Sequence, residues 1–423
     1  MQNVSQLGTK NLVLIGGGHS HVIVLWLFGI KPLAGINLIF ISDSSHTPYS
    51  GMLPGHVAGF YTHKQCHIDL GYVANLAGAQ FFIDRVLGLD LEKRQVFCGS
   101  HSPIEFDILS IDIGSTPAIL SVPGAKEYAI PAKPVDKFLE HWYKIFYFIN
   151  SDNTNPENTN PENTGSQSRI YENTLNSDRN SSNLFRLPLA IVGGGAGGVE
   201  LALSMQGYLQ RHYLQRQKFS LGKNNSSIHL FQRDRELMPT FPTSVRGMVK
   251  RILQNKGVNL HLGESVCKVE KTTNGYSLTC ESGLVVKCDY IFWVTQANAQ
   301  EWLKEAGLAT DKAGFILVDD NLQSISHPGI FASGDIATMV NYHLPKAGVF
   351  AVRQGKPLFE NLVGSLLGKE LKPYKPQRDY LSLIGTGDGK AFATRGKFVL
   401  PPSKLIWWWK DFIDRQFMKK FHP

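Results

Sequence analysis

Apolar residues near the start of the chain form two continuous runs separated by a longer helical segment. Residues 11–15 (NLVLI) and 36–42 (INLIFIS) have the continuous apolar character of buried strands. The segment 19–30 between them has the length and composition of a helix, and three glycines precede it. This pattern predicts a βαβ unit with a tight turn between its first strand and its helix.

The same pattern occurs a second time, about 175 residues later by alignment of the glycine turns. Residues 187–210 (LPLAIVGGGAGGVELALSMQGYLQ) predict a strand, a turn and a helix, and residues 226–231 (SSIHLF) predict the next strand. Residues 245–271 then predict a helix and a strand, and residues 276–294 a hairpin that continues into a further strand. The chain is therefore predicted to be an α/β protein with two Rossmann-like dinucleotide-binding domains.

The composition of the remaining segments predicts where the domains of the chain begin and end. Residues 151–183 repeat the pentapeptide Asn-Thr-Asn-Pro-Glu and contain few apolar residues, so we expect a disordered, low-complexity surface insertion. We expect the first domain to comprise residues 1–135 and 289–370, with the second domain, residues 184–288, nested between its two parts. Residues 371–423 are predicted to form a C-terminal extension that ends in an amphipathic helix.

Charge and cysteine content narrow the possible partners. The chain of 423 residues has 43 Lys and Arg against 35 Asp and Glu, a net charge of +8, which favours cofactor phosphates or an acidic membrane surface. No nucleic-acid-binding motif is present, so we expect no nucleic acid partner. The five cysteines form no C-x-x-C or C-x4-C pair, which argues against a disulfide framework, a zinc site and a redox-active dithiol.

The chain shows no signal for export or for crossing a membrane. Its first ten residues lack the basic and apolar regions of a secretory signal, and no apolar run approaches the roughly 20 residues that span a bilayer. We therefore expect a cytoplasmic protein whose membrane contact, if it has any, is peripheral.

The two glycine turns differ at the third glycine position of the motif. Gly16, Gly17 and Gly18 begin a G-x-G-x-x-H motif, in which a histidine replaces the usual last glycine. The second turn is a complete G-x-G-x-x-G motif, formed by Gly193, Gly195 and Gly198, and Glu200 lies in the first helical turn after it. Such turns let the backbone approach a pyrophosphate held by helix amides, so each predicts a dinucleotide site.

The residues that end the second strand of each unit bear on which dinucleotide binds. An acidic residue there normally binds the adenine ribose. In the second unit the strand ends in Gln-Arg-Asp-Arg, and Arg233 and Arg235 could pair with a 2′-phosphate. We expect NADPH to be slightly favoured over NADH, the alternative being that these arginines are only solvated loop charges.

The segment FASGDIA, residues 331–337, places Gly334 and Asp335 after an extended segment. A carboxylate in this position suits binding of ribityl hydroxyls near a helix N-terminus. It lies downstream of both dinucleotide turns, the order expected if the flavin domain resumes after a nicotinamide domain.

Together these motifs resemble the pyridine nucleotide-disulfide oxidoreductase superfamily, which includes type II NADH dehydrogenases. Residues 106–117 (FDILSIDIGSTP), with Gly114, and residues 288–299 look like the two segments where the chain leaves and re-enters the flavin domain, although Gln296 replaces the usual glycine. More narrowly, GGGHSHV, HTPYSGMLPG, HIDL and the terminal WWWKDFIDRQFM resemble the oxidoreductase family that also occurs fused to selenide, water dikinase. No kinase domain is present in the chain.

The resemblance implies FAD in the first domain, NAD(P)H in the second, and roles for individual residues. Gly16, Gly18 and Asp335 would hold FAD, and His19 lies on the turn over its pyrophosphate. Ser42 stands where the acid that binds the adenine ribose would be, and neighbouring Asp43 could substitute. The loop Thr47, Pro48, Tyr49 and Ser50 would line the isoalloxazine. Glu200 would lie near the nicotinamide and the flavin, or would only interact with the helix dipole. Lys133 and Lys346 are candidates to stabilise the reduced ring, or are surface lysines.

The missing C-x4-C pair implies that electrons leave directly from reduced flavin, since disulfide reductases relay them through two thiols. A quinone is the expected acceptor, although Ala347 is followed by Gly348 where type II NADH dehydrogenases carry Ala-Gln. The alternatives are a soluble flavin reductase with a protein, selenium or sulfur acceptor, in which Cys66 is the early thiol candidate, and a flavin-based redox sensor.

The C-terminal helix and the histidines allow further predictions. The aromatic run and the lysines of the helix suit an interfacial anchor at a membrane surface, and packing against the protein or a second copy in a homodimer is the alternative; these residues are Trp407, Trp408, Trp409, Lys404, Lys410, Lys419 and Lys420. No histidine spacing suits a metal, so we expect none, and we expect His19 and His21 to hydrogen-bond or to pack in the core.

Overall fold

The computed structural model describes residues 9–117, 122–151, 187–216, 228–295 and 297–422. The predicted insertion, apart from Ser151, and Gln296 lie outside the described residues.

The described strands and helices follow the alternating order that the apolar pattern predicts. The strands are β1 (Lys10–Ile15), β2 (Ile36–Ser42), β3 (His46–Pro48), β4 (His67–Asp69), β5 (Gln80–Ile83), β6 (Val86–Asp90), β7 (Gln95–Cys98), β8 (Ile104–Glu105), β9 (Ile108–Ile111), β10 (Thr116–Pro117), β11 (Ile130–Pro131), β12 (Leu189–Val192), β13 (Ile228–Gln232), β14 (Asn259–Leu262), β15 (Val266–Thr272), β16 (Gly275–Cys280), β17 (Val285–Cys288), β18 (Tyr290–Trp293), β19 (Ala297–Asn298), β20 (Ile316–Val318), β21 (Ile330–Ala332), β22 (Ala337–Met339), β23 (Ser382–Gly385), β24 (Ala391–Arg395) and β25 (Phe398–Ser403). The helices are α1 (His19–Ile30), α2 (Leu53–Val57), α3 (His63–Cys66), α4 (Leu70–Leu76), α5 (Ala125–Tyr128), α6 (Val135–Ser151), α7 (Ala196–Arg216), α8 (Thr243–Asn255), α9 (Trp302–Glu305), α10 (Gly348–Leu366) and α11 (Lys404–Met418).

The first unit is built on a parallel sheet in the order β21-β9-β1-β2-β5. Its central strand is buried on both faces, which explains the unbroken apolar run in the sequence. Helix α1 connects β1 to β2 and packs against α10. The antiparallel strands β6, β7 and β8 lie between β5 and β9 in the chain.

The second unit repeats this plan. Its parallel sheet has the order β11-β18-β12-β13-β14, with α7 connecting β12 to β13 and the antiparallel strands β15, β16 and β17 preceding β18. The predicted α/β class with two Rossmann-like sheets is confirmed.

Two strands lie in a different sheet from the one that the predicted domain boundaries at residues 135 and 289 imply. Strand β18 pairs with β12, and β11 pairs with β18, so both belong to the second sheet rather than to the first. Helix α6 also packs in the second core, through Phe138, Leu139 and Trp142. The hydrogen-bonded ladder decides this assignment, and a local apolar pattern carries no information about which sheet a strand joins.

The C-terminal extension consists of an antiparallel sheet, β23-β24-β25, followed by the predicted amphipathic helix α11. Ser403 caps this helix by accepting a hydrogen bond from the Ile406 amide at 3.2 Å. The inner face carries Lys410 and Asp414, both buried, and Lys410 donates to the carbonyl of Gly51. The prediction that Lys410 faces lipid is therefore wrong, because its ammonium is bound inside the protein.

The outer face of α11 and the neighbouring strand β25 carry several exposed large apolar side chains, which we call the aromatic patch. Trp408 is 67% exposed and Phe398 84% exposed. The patch comprises Phe398, Leu400, Leu405, Trp408, Trp409 and Phe412. Among the described helices, none is long and apolar enough to cross a membrane.

Candidate functional site

The first glycine turn connects β1 to α1 at the carboxyl edge of the first sheet. Gly16 has a φ of +97°, and its amide donates to the Ile41 carbonyl at 2.8 Å. A Cβ atom on Gly16 would overlap the carbonyl of Asp112, which also accepts a hydrogen bond from the Gly18 amide at 3.0 Å. Gly16 is therefore required for this close backbone approach, whereas Cβ atoms on Gly17 and Gly18 would overlap the side chains of Leu70 and Asp112.

His21 occupies the third position of this motif, and both of its ring nitrogens have partners within the protein. Its Nδ1 lies 2.8 Å from the Gly16 carbonyl oxygen and its Nε2 lies 2.8 Å from Ser110 Oγ. Burial lowers the pKa of His21 to about 4, so the ring is neutral and connects the helix to two strands. His19 packs edge-on against Tyr49, with 5.5 Å between ring centroids, and its buried Nε2 has no partner among the described residues.

The second glycine turn has the same backbone geometry and more open space. Gly193 has a φ of +124°, and a Cβ atom on it would overlap the Val294 carbonyl. A Cβ atom on Gly198 would overlap the Gly193 carbonyl, which explains why the third position is glycine here. A Cβ atom on Gly195 would meet nothing within 4 Å. The amino terminus of α7 is thus accessible to an anion.

Gln232 ends β13 at the point where an acidic residue normally binds ribose. Its Oε1 accepts a hydrogen bond from the Gly194 amide at 2.8 Å, and its Nε2 donates to Asp234 Oδ2 at 2.6 Å. Arg233, Asp234 and Arg235 are exposed around it. The edge of the predicted nucleotide site therefore contains one fixed carboxylate between two exposed arginines.

The corresponding position in the first unit is Ser42, at the end of β2. Ser42 is buried, and its Oγ accepts a hydrogen bond from the Ser44 amide at 3.3 Å. Asp43 is exposed beside it, and it is the carboxylate immediately next to the end of this strand.

The predicted flavin-lining loop, Thr47 to Ser50, lies between the first unit and the C-terminal helix. Tyr49 stacks on Phe417 of α11, with 4.5 Å between ring centroids. A Cβ atom on Gly348 would overlap Ser50 Oγ, so this loop lies directly against the amino terminus of α10. A side chain at position 348, such as the glutamine of the Ala-Gln pair in type II NADH dehydrogenases, would therefore require the Ser50 side chain to move.

Lys133 and Asp335 meet at the same edge of the sheet. Asp335 lies in the 3-10 turn that follows β21, and Lys133 Nζ lies 2.7 Å from its Oδ2 and 3.1 Å from Ser115 Oγ. Gly114 and Gly334, on the two turns that approach each other here, have φ values of +67°. A cation is therefore paired with the predicted ribityl-binding carboxylate.

Lys346 lies farther along the chain and hydrogen-bonds groups other than the Asp335 carboxylate. Its Nζ donates to the Ala337 carbonyl at 2.7 Å and to Thr338 Oγ1 at 3.0 Å, and it lies 4.0 Å from the centre of the Phe315 ring. Burial lowers the pKa of Lys346 to about 8. Of the two predicted lysines, Lys133 is the one that contacts Asp335.

Glu200 lies where the second unit meets the C-terminal extension. Its Oε1 accepts a hydrogen bond from the Gly385 amide at 2.8 Å. Loss of water contact raises the pKa of Glu200 to about 7, although the charge of Lys410 opposes this shift. Lys410 forms a buried ion pair with Asp414 at 2.7 Å, and Asp414 also hydrogen-bonds the side chain of Tyr49. These groups place a proton-holding carboxyl and a buried ion pair between the two units.

Sequence reasoning did not identify Lys410 and Asp414 as part of this site. The signal was present in their spacing of four residues, on the same helical face as Trp407, which packs against Phe60, and Phe417, which stacks on Tyr49 of the flavin-lining loop. The neighbouring tryptophans instead indicated a surface role for the lysine.

Cys66 and the histidines next to it provide neither a reactive thiol nor an assembled metal site. Burial raises the pKa of Cys66 to about 12, which keeps the thiol protonated. His63 and His67 stack at 3.6 Å between centroids. Within the part of the chain that the structure describes, no group of three or more His, Cys, Asp or Glu is placed to hold a metal ion.

The two glycine turns fit two dinucleotides. Both turns use glycine where a side chain would block the backbone, and the buried Nε2 of His19 lies unpartnered beside the first. Asp112 is an exception to this fit with a dinucleotide, because its carboxylate already binds the amino terminus of α1.

Comparison with known proteins agrees with this architecture. Residues 10–355 match the family model for pyridine nucleotide-disulphide oxidoreductases. The chain is 24% identical to ferroptosis suppressor protein 1 of Xenopus tropicalis over 398 residues, which cover 91% of this chain and 89% of that protein. It is 25% identical to the type II NADH:quinone oxidoreductase of Haemophilus influenzae over 389 residues, 86% of this chain and 83% of the relative.

A solved structure shares the fold along almost its full length. NDH2 from Plasmodium falciparum in complex with NADH superposes with a TM-score of 0.73 at 14% identity, covering 97% of this chain and 98% of that one.

Proposed function

Because the chain belongs to the pyridine nucleotide-disulphide oxidoreductase family, we propose that it is an FAD-dependent NAD(P)H dehydrogenase that passes electrons to a quinone. Bound FAD would supply two-electron redox chemistry between the nicotinamide and the acceptor. The observation that carries the proposal is the buried ion pair Lys410–Asp414, whose charges act on Glu200 of the second unit and whose Asp414 hydrogen-bonds Tyr49 of the flavin-lining loop.

The residues of the first unit would hold and orient FAD. Gly16, Gly17 and Gly18 would admit its pyrophosphate, and Asp335 would bind ribityl hydroxyls while Lys133 balances the carboxylate charge. The loop from Thr47 to Ser50 would lie against the ring, and the stacked Phe417 would exclude water from it.

The residues of the second unit would bind NAD(P)H. Gly193, Gly195 and Gly198 would admit its pyrophosphate, and Arg233 and Arg235 would favour NADPH slightly. Glu200 would keep a proton at its carboxyl near neutral pH, close to where the nicotinamide and the acceptor react.

Three features support a quinone acceptor. The five cysteines are free, and the thiol nearest the flavin-lining loop, Cys66, has a pKa raised to about 12, so a dithiol relay has no basis here. The Haemophilus relative is named for NADH and quinone. The aromatic patch would bring the protein to the cytoplasmic face of a membrane, where an apolar quinone dissolves; its alternative occupant is a second copy of this chain.

Anaerobic stopped-flow mixing tests the proposal. Flavin absorbance should bleach on mixing with NADPH or NADH and should recover rapidly when a water-soluble quinone is added. If the flavin bleaches and only soluble protein or sulfur acceptors restore it, the quinone assignment is wrong. If neither nicotinamide bleaches the flavin, the dehydrogenase assignment is wrong as well.

Membrane contact is tested separately by sedimentation with vesicles that contain anionic lipid. Replacing Trp408 and Phe412 by Ser should release the protein from the vesicles, since both side chains are more than 60% exposed. A variant that still sediments with vesicles would show that the patch is not the contact.

A further inference from the structure

Asp112 places a buried carboxylate inside the first glycine turn. The residue follows β9 and is 2% exposed. Its Oδ2 accepts hydrogen bonds from the amides of Ser20 at 2.9 Å and His21 at 3.3 Å, both in the first turn of α1. A Cβ atom on Gly18 would overlap this carboxylate. The carboxylate thus lies at the amino terminus where a dinucleotide pyrophosphate is expected to bind.

The second unit has no such group. The parallel ladders align Ile111 with Ile15 and Trp293 with Val192, so Asp112 and Val294 occupy equivalent positions after their strands. The carbonyls of both residues make the same close approach to the first glycine of their turns. The amino terminus of α7 therefore faces an apolar side chain where that of α1 faces a carboxylate.

No cation within the described residues pairs with Asp112. The other carboxylate of the site, that of Asp335, forms an ion pair with Lys133. His19 and His21 are neutral because burial lowers the pKa of each to about 4. Burial, assisted by the charge of Asp335, raises the pKa of Asp112 to about 7, against the effect of the two helix amides.

We propose that the Asp112 carboxylate and the FAD pyrophosphate compete for the amino terminus of α1, so that tight FAD binding requires Asp112 to take up a proton. The proposal rests on the proposed function, which places FAD in the first unit. Two anions cannot share the same helix amides in a buried turn without a large electrostatic cost. Protonation leaves a neutral carboxyl that can turn away or donate a hydrogen bond to a phosphate oxygen.

The sign of the pH dependence follows from proton uptake. Below the pKa of Asp112 the proton is already present and FAD affinity is constant. Above it, each FAD bound takes up one proton, so the Kd should rise by about tenfold per pH unit. The flavin should therefore be lost more readily at alkaline pH.

The test is FAD titration of the full-length protein after removal of its flavin, between pH 6 and pH 8.5 at constant ionic strength. We expect the Kd of the unmodified protein to rise above neutrality, and that of Asp112→Asn to be at least about tenfold lower at pH 8 and nearly independent of pH. The matched control is Asp107→Asn, at the other end of β9, where an exposed carboxylate accepts a hydrogen bond from the Asn11 amide at 2.7 Å. This control should retain the original pH dependence.

Calorimetry in buffers with different ionisation enthalpies gives a second readout that needs no variant. At pH 8 the unmodified protein should take up close to one proton per FAD. Zero uptake, or an Asp112→Asn affinity no tighter than the original, would overturn the proposal while leaving FAD binding intact. Failure of the unmodified protein to bind FAD even at pH 6 would instead remove the proposed function.

Discussion

The two dinucleotide units share one backbone plan but differ in several side chains around the glycine turn, and three of these differences change the chemistry of the turn. His21, Ile23 and Asp112 in the first unit correspond to Gly198, Glu200 and Val294 in the second. In the first unit a histidine replaces the third glycine by bonding the turn carbonyl, and a buried carboxylate fills the helix amino terminus. In the second unit the turn is open, and Glu200 places a carboxylate one helical turn beyond the amino terminus of α7.

The residue at the position of Ile23 and Glu200 therefore has a different structural role in each unit. The Ile23 side chain packs against Gly355 of α10, which fixes α1 within the first domain. The equivalent Glu200 instead reaches the Gly385 amide of the C-terminal sheet and lies near the Lys410–Asp414 pair. The helix of the first unit is thus packed within its own domain, whereas the helix of the second unit directs a titratable group toward the C-terminal extension.

The strongest test of the comparison exchanges the third residue of the motif. Gly198→His should reduce the free energy of unfolding by about 3 kcal/mol, because the new Cβ overlaps the Gly193 carbonyl. The strand registers also place Phe292 at the position equivalent to Ser110, so the new ring would lack the hydrogen bond that His21 makes. Urea unfolding and NADH titration measure the effect.

The matched control is Gly197→His, where a Cβ atom would meet only a Val294 methyl at 3.8 Å. Equal stability of the two variants would show that the close approach at Gly198 does not matter.

The second test removes the carboxyl that the first unit lacks. Glu200→Gln keeps an oxygen that can accept from the Gly385 amide but removes the proton, so flavin reoxidation by quinone should slow by about a hundredfold. In the unmodified protein this rate should fall as pH rises above about 7, because the raised pKa of Glu200 keeps its carboxyl protonated only below that value.

Stopped-flow reoxidation across pH 6 to 8.5 measures both effects. An unchanged rate and pH profile in Glu200→Gln would mean that this carboxyl does not supply the proton.

The third test transfers the Asp112 carboxylate to the second unit. Val294→Asp should weaken NAD(P)H binding by about tenfold, equivalent to about 1.4 kcal/mol, because it places a negative charge at the amino terminus of α7. Val294→Asn has the same shape without the charge and should bind NAD(P)H more tightly than Val294→Asp at pH 8. Titration of each variant with NADPH decides the point, and equal affinities would show that charge at this position has no effect.

Much of this comparison could be predicted from sequence because its signals are local. The glycine turns and the continuous apolar runs predicted both βαβ units and the positions of Gly16 and Gly193. The strands β11 and β18 were assigned to the wrong sheet, since their partners lie far away in the chain. The role of Asp112 was also missed, because only folding brings the end of β9 against the amino terminus of α1, 91 or more residues earlier.

The smallest expected effect concerns the choice between NADPH and NADH at the end of β13. Arg233 and Arg235 are exposed, so solvent screening limits their attraction for a 2′-phosphate, and replacing both by Gln should weaken NADPH relative to NADH by only about threefold. The Asp234 carboxylate, held by Gln232 at 2.6 Å, would repel the same phosphate and accept a hydrogen bond from a ribose hydroxyl. Asp234→Asn should therefore shift the preference in the opposite direction, toward NADPH. Titrations of each variant with NADPH and NADH measure the ratio of the two affinities. If Arg233→Gln/Arg235→Gln and Asp234→Asn shift this ratio in the same direction, the opposed charges at the end of β13 do not set the nicotinamide preference.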